Sequence, residues 1–310
     1  MNGNVIRRAL LVCLLLSVIA VERASAQAAR VFLSGTGSDV GDCSNAATPC
    51  RSLQGAVDQT AAGGDVIIVS SGGFGGATIT KSITVNAPAG VVAFIGRTIT
   101  VTIGSADSVV LRGLSLNGRL GGFGDGIAFT SGGRLLVENC LITGFYAGIR
   151  ATAPGARLWV SNCDIRSNPG SGIIAGNGAA GLAPMRVAID KCRFIGNDIW
   201  GVVASDDISV SIRNSVAEDN PFAFELHLIH AGETGEMNIE SCQVSKSLRG
   251  ISADGVPGVT QIIRVSQTTI MNNGKALFPS FGQIISFGNN RVAGNAEAAF
   301  DSFSSTVALK

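Results

Sequence analysis

Leu135-Leu136-Val137-Glu138-Asn139-Cys140-Leu141-Ile142 carries a unit that recurs along the chain: apolar, any, apolar, any, polar, cysteine or small, any, apolar. The frame returns at Leu158, Val160, Asn162, Cys163 and Ile165, and at Val187, Ile189, Lys191, Cys192 and Phe194. It recurs at Val210, Ile212, Asn214, Ser215 and Ala217, and at Met237, Ile239, Ser241, Cys242 and Val244. Ile263, Val265, Gln267, Thr268 and Ile270 follow it, then Ile285, Phe287, Asn289, Asn290 and Val292; an earlier copy is Val109, Leu111, Gly113, Leu114 and Leu116. Apolar residues two apart share one face of a strand. The alternation slips by one residue before the cysteine position, so the residue there must bend the chain while both flanks keep pointing inward.

Five residues after the cysteine position a second bend is marked by Asn168, Asn197, Asn220, Asn273 and Asn295. A third short strand then follows, as in Gly148-Ile149, Gly172-Ile173, Gly201-Val202 and Gly250-Ile251. Three strands and three bends make one coil of a solenoid. Successive copies lie 26, 23, 29, 23, 27, 26 and 22 residues apart. Constant core positions with variable coil length exclude a leucine-rich repeat, a six-residue left-handed β-helix and a propeller. The fold expected is all-β: a right-handed parallel β-helix of roughly ten coils over 66–300.

This pattern resembles the generic repeats of the pectin-lyase-like superfamily from about Val66 to about Ala299, and such a resemblance implies fold far better than activity. Pectate lyases of this fold carry clustered calcium-binding acids beside basic residues. Polygalacturonases carry Asn-Thr-Asp, an Asp-Asp pair, Gly-His-Gly and a basic tripeptide. Only Asp206-Asp207 echoes any of these here.

Composition fits many short strands joined by tight bends. Glycine is nearly twice its usual share at 41 of 310 residues, charged residues are only 15% and aromatics 5%. Net charge is +1 and no basic stripe is present, so nucleic acid is not an expected partner. Arg7-Arg8, the uncharged run Ala9 to Val21 and Ala24-Ser25-Ala26 read as a signal peptide over 1–26. The run is too short to span a bilayer, which takes about 20 residues. The product is expected to be exported, periplasmic or secreted, with no membrane span.

Residues 27–65 are read as an N-terminal cap, because open coil edges need covering. Within it, Leu53, Ala56, Val57 and Ala61 sit at helical spacing, with Gly63-Gly64 as the stop. Residues 301–310 are read as a C-terminal tail. Cys43 and Cys50 bracket a short loop and are expected to form a disulfide in an oxidising compartment. Cys140, Cys163, Cys192 and Cys242 share one inward position at a ~4.8 Å strand spacing. Disulfides want Cβ atoms ~3.8 Å apart, so these four read as buried free thiols selected for size. The second-bend asparagines read as a structural stack. The glycine-rich Gly121-Gly122-Phe123-Gly124-Asp125 is a single near miss to a calcium repeat and implies no site. No metal or cofactor is expected.

Enzymes of the resembling superfamily place their clefts on the outward face of the third strand. That face reads Ala128/Thr130, Arg150/Thr152, Ile174/Gly176, Val203/Ser205, Glu225/His227, Ser252/Asp254 and Phe278/Ser280. Candidate catalytic residues are Glu225, His227, Asp207 and Asp254; Arg150, His230 and Asp206 are candidates for holding substrate. A lyase needs a base and a cation for the carbanion, and a hydrolase needs two carboxylates. Aromatic platforms for sugars read as sparse. The leading expectation is a non-catalytic β-helix that binds or organises polysaccharide or a cell-surface partner. A polysaccharide lyase, hydrolase or epimerase is the alternative, and an adhesin-like structural element is a third class.

Overall fold

A computed structural model describes residues 27–120, 124–176 and 181–308. The signal peptide reading (1–26), residues 121–123 of the glycine-rich stretch and the last two residues of the C-terminal tail lie outside the described residues. Strands stack in parallel into three sheets of 12, 10 and 9 members, and each complete coil contributes one strand to each. The nine-stranded sheet limits the complete coils to slightly fewer than the ten expected. No helix among the described residues is long and apolar enough to cross a membrane.

One coil shows the logic. Arg134–Glu138 lies in the first sheet, Leu141–Thr143 in the second and Ala147–Ala151 in the third. Asn139 bends the chain at φ 55° and Gly144 at φ 75°, both in the left-handed region that asparagine and glycine tolerate best. Leu135 pairs with Leu158 and Val137 with Val160 on the next coil, and the same frame continues to Met237↔Ile263. The last copy differs. Ile284 and Ser286, not Ile285 and Phe287, stand in line with Ile263 and Val265, and Gly288 at φ 79° takes up the extra residue before Asn290.

The cysteine position selects a hydrogen-bond donor as well as size. The thiols of Cys140, Cys163, Cys192 and Cys242 each donate to the carbonyl two residues earlier at 3.2–3.4 Å. Ser215 and Thr268 make the same bond at 2.6 and 2.8 Å. The same atoms also accept the backbone N–H of the preceding coil, as Cys163 Sγ does from Cys140 at 3.4 Å and Ser215 Oγ from Cys192 at 3.1 Å. All four thiols are buried and unbridged. The asparagines stack as expected: Asn168 donates to Asn197 Oδ1 at 2.8 Å, and Asn197 to Asn220 Oδ1 at 2.9 Å.

At the N-terminal end the helix Leu53–Gln59 is capped by Ser52, which accepts from the Gly55 N–H, and it buries Leu53, Ala56 and Val57. It is shorter than the spacing predicts, because Thr60 already begins the strand Thr60–Ile68 that contains Gly63-Gly64. Sequence reasoning also missed the strand Ala28–Leu33, which pairs with Thr60–Ile68 and heads the first sheet. Cys43 and Cys50 form the disulfide, with Cα atoms 5.3 Å apart. At the other end, Phe300 packs against Phe278 at 5.9 Å, and Ser305–Thr306 pairs with Gln283–Ser286.

Candidate functional site

On the third sheet, Ala128, Arg150, Ile174, Val203, Glu225, Ser252 and Phe278 stand in one line across seven coils, the register read from sequence. His227 is in register with Asp254. A second line, Trp200, Phe222, Arg249 and Lys275, runs beside it. The small residue after each of these breaks the two-residue alternation. Side chains three apart therefore reach the same outer face: Arg249 stacks 3.7 Å from the Phe278 ring centroid and 5.2 Å from that of Phe222.

The outer face is not the solvated surface the strand pattern predicts. The Glu225 side chain is only 3% exposed, and its Oε1 lies 3.3 Å from His227 Nδ1. The two atoms are in ion-pair range but not aligned for a hydrogen bond, and Glu225 Oε2 has no protein hydrogen-bond partner either. Trp200 Nε1 and Ser252 Oγ are likewise buried without one. Buried polar groups are nearly always satisfied in native structures, so four on one face mark it out. The Glu225 carboxylate raises the His227 pKa above the ordinary imidazole value against the opposing effect of burial, and Asp254 adds to the rise.

The expected convergence of acids, histidines and arginine separates into three groups. Arg150 is paired with Asp125 at 2.8 Å and lies over the Tyr146 ring at 5.7 Å. Asp206, His230 and Glu233 form a second group at the corner leading to the next coil. There His230 Nδ1 meets Glu233 Oε1 at 2.8 Å, while Glu233 Oε2 accepts the N–H groups of Ile229 and His230. Asp207 accepts from the N–H and hydroxyl of Thr234 at 2.8 and 3.0 Å, which ties it to that corner. Of the four catalytic candidates, Glu225, His227 and Asp254 come together, and Arg249 holds Asp254 at 2.9 Å. Among the described residues both clusters of this kind include an imidazole, whereas calcium takes oxygen ligands.

Trp200, Phe222, Arg249, Lys275 and Phe300 were missed by sequence reasoning. Trp200 and Phe222 are 6.0 Å apart, and Lys275 lies 5.3 Å from Phe278 and 4.3 Å from Phe300. The aromatic platform that read as sparse is therefore present beside Glu225. Its signal was available: in four successive coils an aromatic or basic residue (Trp200, Phe222, Arg249, Lys275) precedes the small residue at the start of the third strand.

Residues 117–228 match the family model described as the right handed beta helix region. The crystal structure of pectate lyase Pel9A is similar over 92% of this chain and 80% of that one, with a TM-score of 0.57 and 16% identity. No curated protein matches. The three sheets, the family model over 117–228 and the structural neighbour agree that the fold is a right-handed parallel β-helix, as in that pectate lyase.

Proposed function

We propose that the chain is an exported β-helix that binds polysaccharide, without catalysis, along the outer face of its third sheet. The observation that carries this reading is the line Trp200, Phe222, Arg249 and Lys275 beside Phe278. Successive coils step by ~4.8 Å, comparable to a sugar ring, so rings and cations recur in step with a glycan laid along the axis. Aromatic faces and a few placed charges are the usual equipment of such surfaces. The structural neighbour is by name a pectate lyase, which suits a polysaccharide ligand. The signal-like segment Arg7 to Ala26 and the Cys43–Cys50 disulfide support export.

Against catalysis stands the pairing of the cations a lyase requires: Arg249 is bound to Asp254 and Arg150 to Asp125. A polysaccharide lyase, hydrolase or epimerase is the second reading. Glu225 favours it, since a buried carboxylate against an imidazole of raised pKa is the environment of acid–base groups. The test is calorimetric binding to acidic and neutral polysaccharides, with unsaturated and reducing-end products measured in parallel. Binding without product that Trp200→Ala and Phe222→Ala each weaken about tenfold, about 1.4 kcal/mol, is the expected result. Product formation abolished by Glu225→Gln makes the second reading the right one, and no binding to any polysaccharide defeats the first.

A further inference from the structure

We propose that Glu225, His227 and Asp254 form a site for a first-row divalent transition metal of the zinc class. The three bring one ligand atom each within 4.8 Å of one another. His227 Nδ1 and Glu225 Oε1 are 3.3 Å apart. Two ligands at ~2.0–2.1 Å from one tetrahedral ion are separated by about that distance.

Two independent features point to a ligand at this place. Glu225 is buried with Oε2 unpartnered, a costly state for an ionised carboxylate without a cation against it. Ser252, in register with Glu225 on the same face, is fully buried and its hydroxyl also lacks a protein partner. Arg249 and the Gly255 N–H fix the Asp254 carboxylate, at 2.9 and 3.0 Å, in the way that outer hydrogen bonds orient metal-bound carboxylates. One imidazole and two carboxylates suit zinc-class ions, and three protein ligands leave a position open. Calcium prefers six to eight oxygens and is not matched by this set. The inference goes beyond the polysaccharide reading and does not depend on it.

The experiment titrates the untagged, folded, EDTA-treated chain with Zn2+ alone by calorimetry, then with Co2+ by visible absorption. One equivalent is expected to bind at micromolar affinity or tighter, with the intense d–d bands of a tetrahedral cobalt site. His227→Ala and Glu225→Gln should each weaken binding at least tenfold. Should Glu225→Gln fail to fold, Asp254→Asn supplies the second variant. No zinc bound by the folded parent would leave a plain ion pair and overturn the proposal. Undiminished zinc binding by folded His227→Ala, or a preference for Ca2+ over Zn2+, would overturn it equally.

Discussion

Replacing Cys163 by aspartate tests the inward register at its most demanding point. Cys163 is 2% exposed, and its Sγ faces the carbonyl oxygens of Val137 at 3.5 Å and Ser161 at 3.3 Å. The backbone donor reaching it is the Cys140 N–H, at 3.4 Å. Sharing a hydrogen bond with Cys140, together with burial, already pushes the thiol pKa up. A carboxylate in its place would be buried against these two carbonyl acceptors with no cation beside it, so it must be held protonated. Keeping a group of ordinary pKa ~3.9 neutral at pH 7 takes at least three units, about 4 kcal/mol at 1.36 per unit. Serine needs no such shift, since Ser215 makes the equivalent bond to Arg213 at 2.6 Å, and should cost about 1 kcal/mol. At 2–4 °C per kcal/mol for chains of this order, Cys163→Asp should melt about 8–16 °C below the parent and Cys163→Ser about 2–4 °C below. The aspartate has a raised folded pKa, so its deficit grows with pH above ~4 and shrinks as pH falls to where the unfolded chain is protonated too. Circular dichroism melts at pH 4 and pH 7 measure both. An aspartate variant melting within 2 °C of the parent at pH 7, or a deficit that ignores pH, would refute the register.

Thiol counting should find one disulfide, Cys43–Cys50, and four thiols that react only after denaturation; a Cys140–Cys163 bridge in a peptide map would contradict the ladder. Asn197→Ala removes the acceptor for the Asn168 amide and the donor to the Ile165 carbonyl at 3.2 Å. It should cost about 2–4 kcal/mol in urea melts, because buried partners stay unsatisfied. Asp39 accepts the N–H groups of Arg51 and Ser52. Burial raises its pKa, but the bonds from Ser52 and Arg51 outweigh this and leave it lowered. Its contribution is therefore complete above the unfolded value of ~3.9 and is lost as pH falls through the folded one. Asp39→Asn should lose about 1 kcal/mol or less at pH 7, as solvent screens the site, and nothing at pH 2.

The solenoid was legible because its core repeats are short-range patterns: Val137, Asn139, Cys140 and Ile142 state two strands and a bend within six residues. Steric rules alone then decide which side chains point inward. What escaped was set by pairing between distant segments. Ala28–Leu33 is a strand because Thr60–Ile68 offers it an edge, with Val31 on Val66 and Leu33 on Ile68, and nothing local forces that choice. The shift to Ile284 and Ser286 in the last copy likewise depends on Gly288, whose left-handed backbone inserts a residue that a fixed frame does not anticipate.

At the candidate site the sequence placed the line through Glu225 correctly but assigned it the wrong environment. Alternation says that Glu225 points out; whether outward means solvated depends on Phe222 of its own strand and on Trp200 and Arg249 of the two neighbouring coils, all reaching the face through a break in the alternation. Burial then changes the chemistry. An exposed Glu225 beside His227 would be a weak surface pair, worth at most about 1 kcal/mol. A carboxylate 3% exposed with an unsatisfied oxygen is a liability that evolution tolerates where something compensates it. The same burial separates the two functional readings physically. A glycan held by the rings of Trp200 and Phe222 needs only the rim of this face, whereas a glycan processed by Glu225 must reach an oxygen buried beneath it. Loss of binding in Trp200→Ala with full retention in Glu225→Gln would therefore place the ligand on the rim, and loss of turnover in Glu225→Gln alone would place it inside.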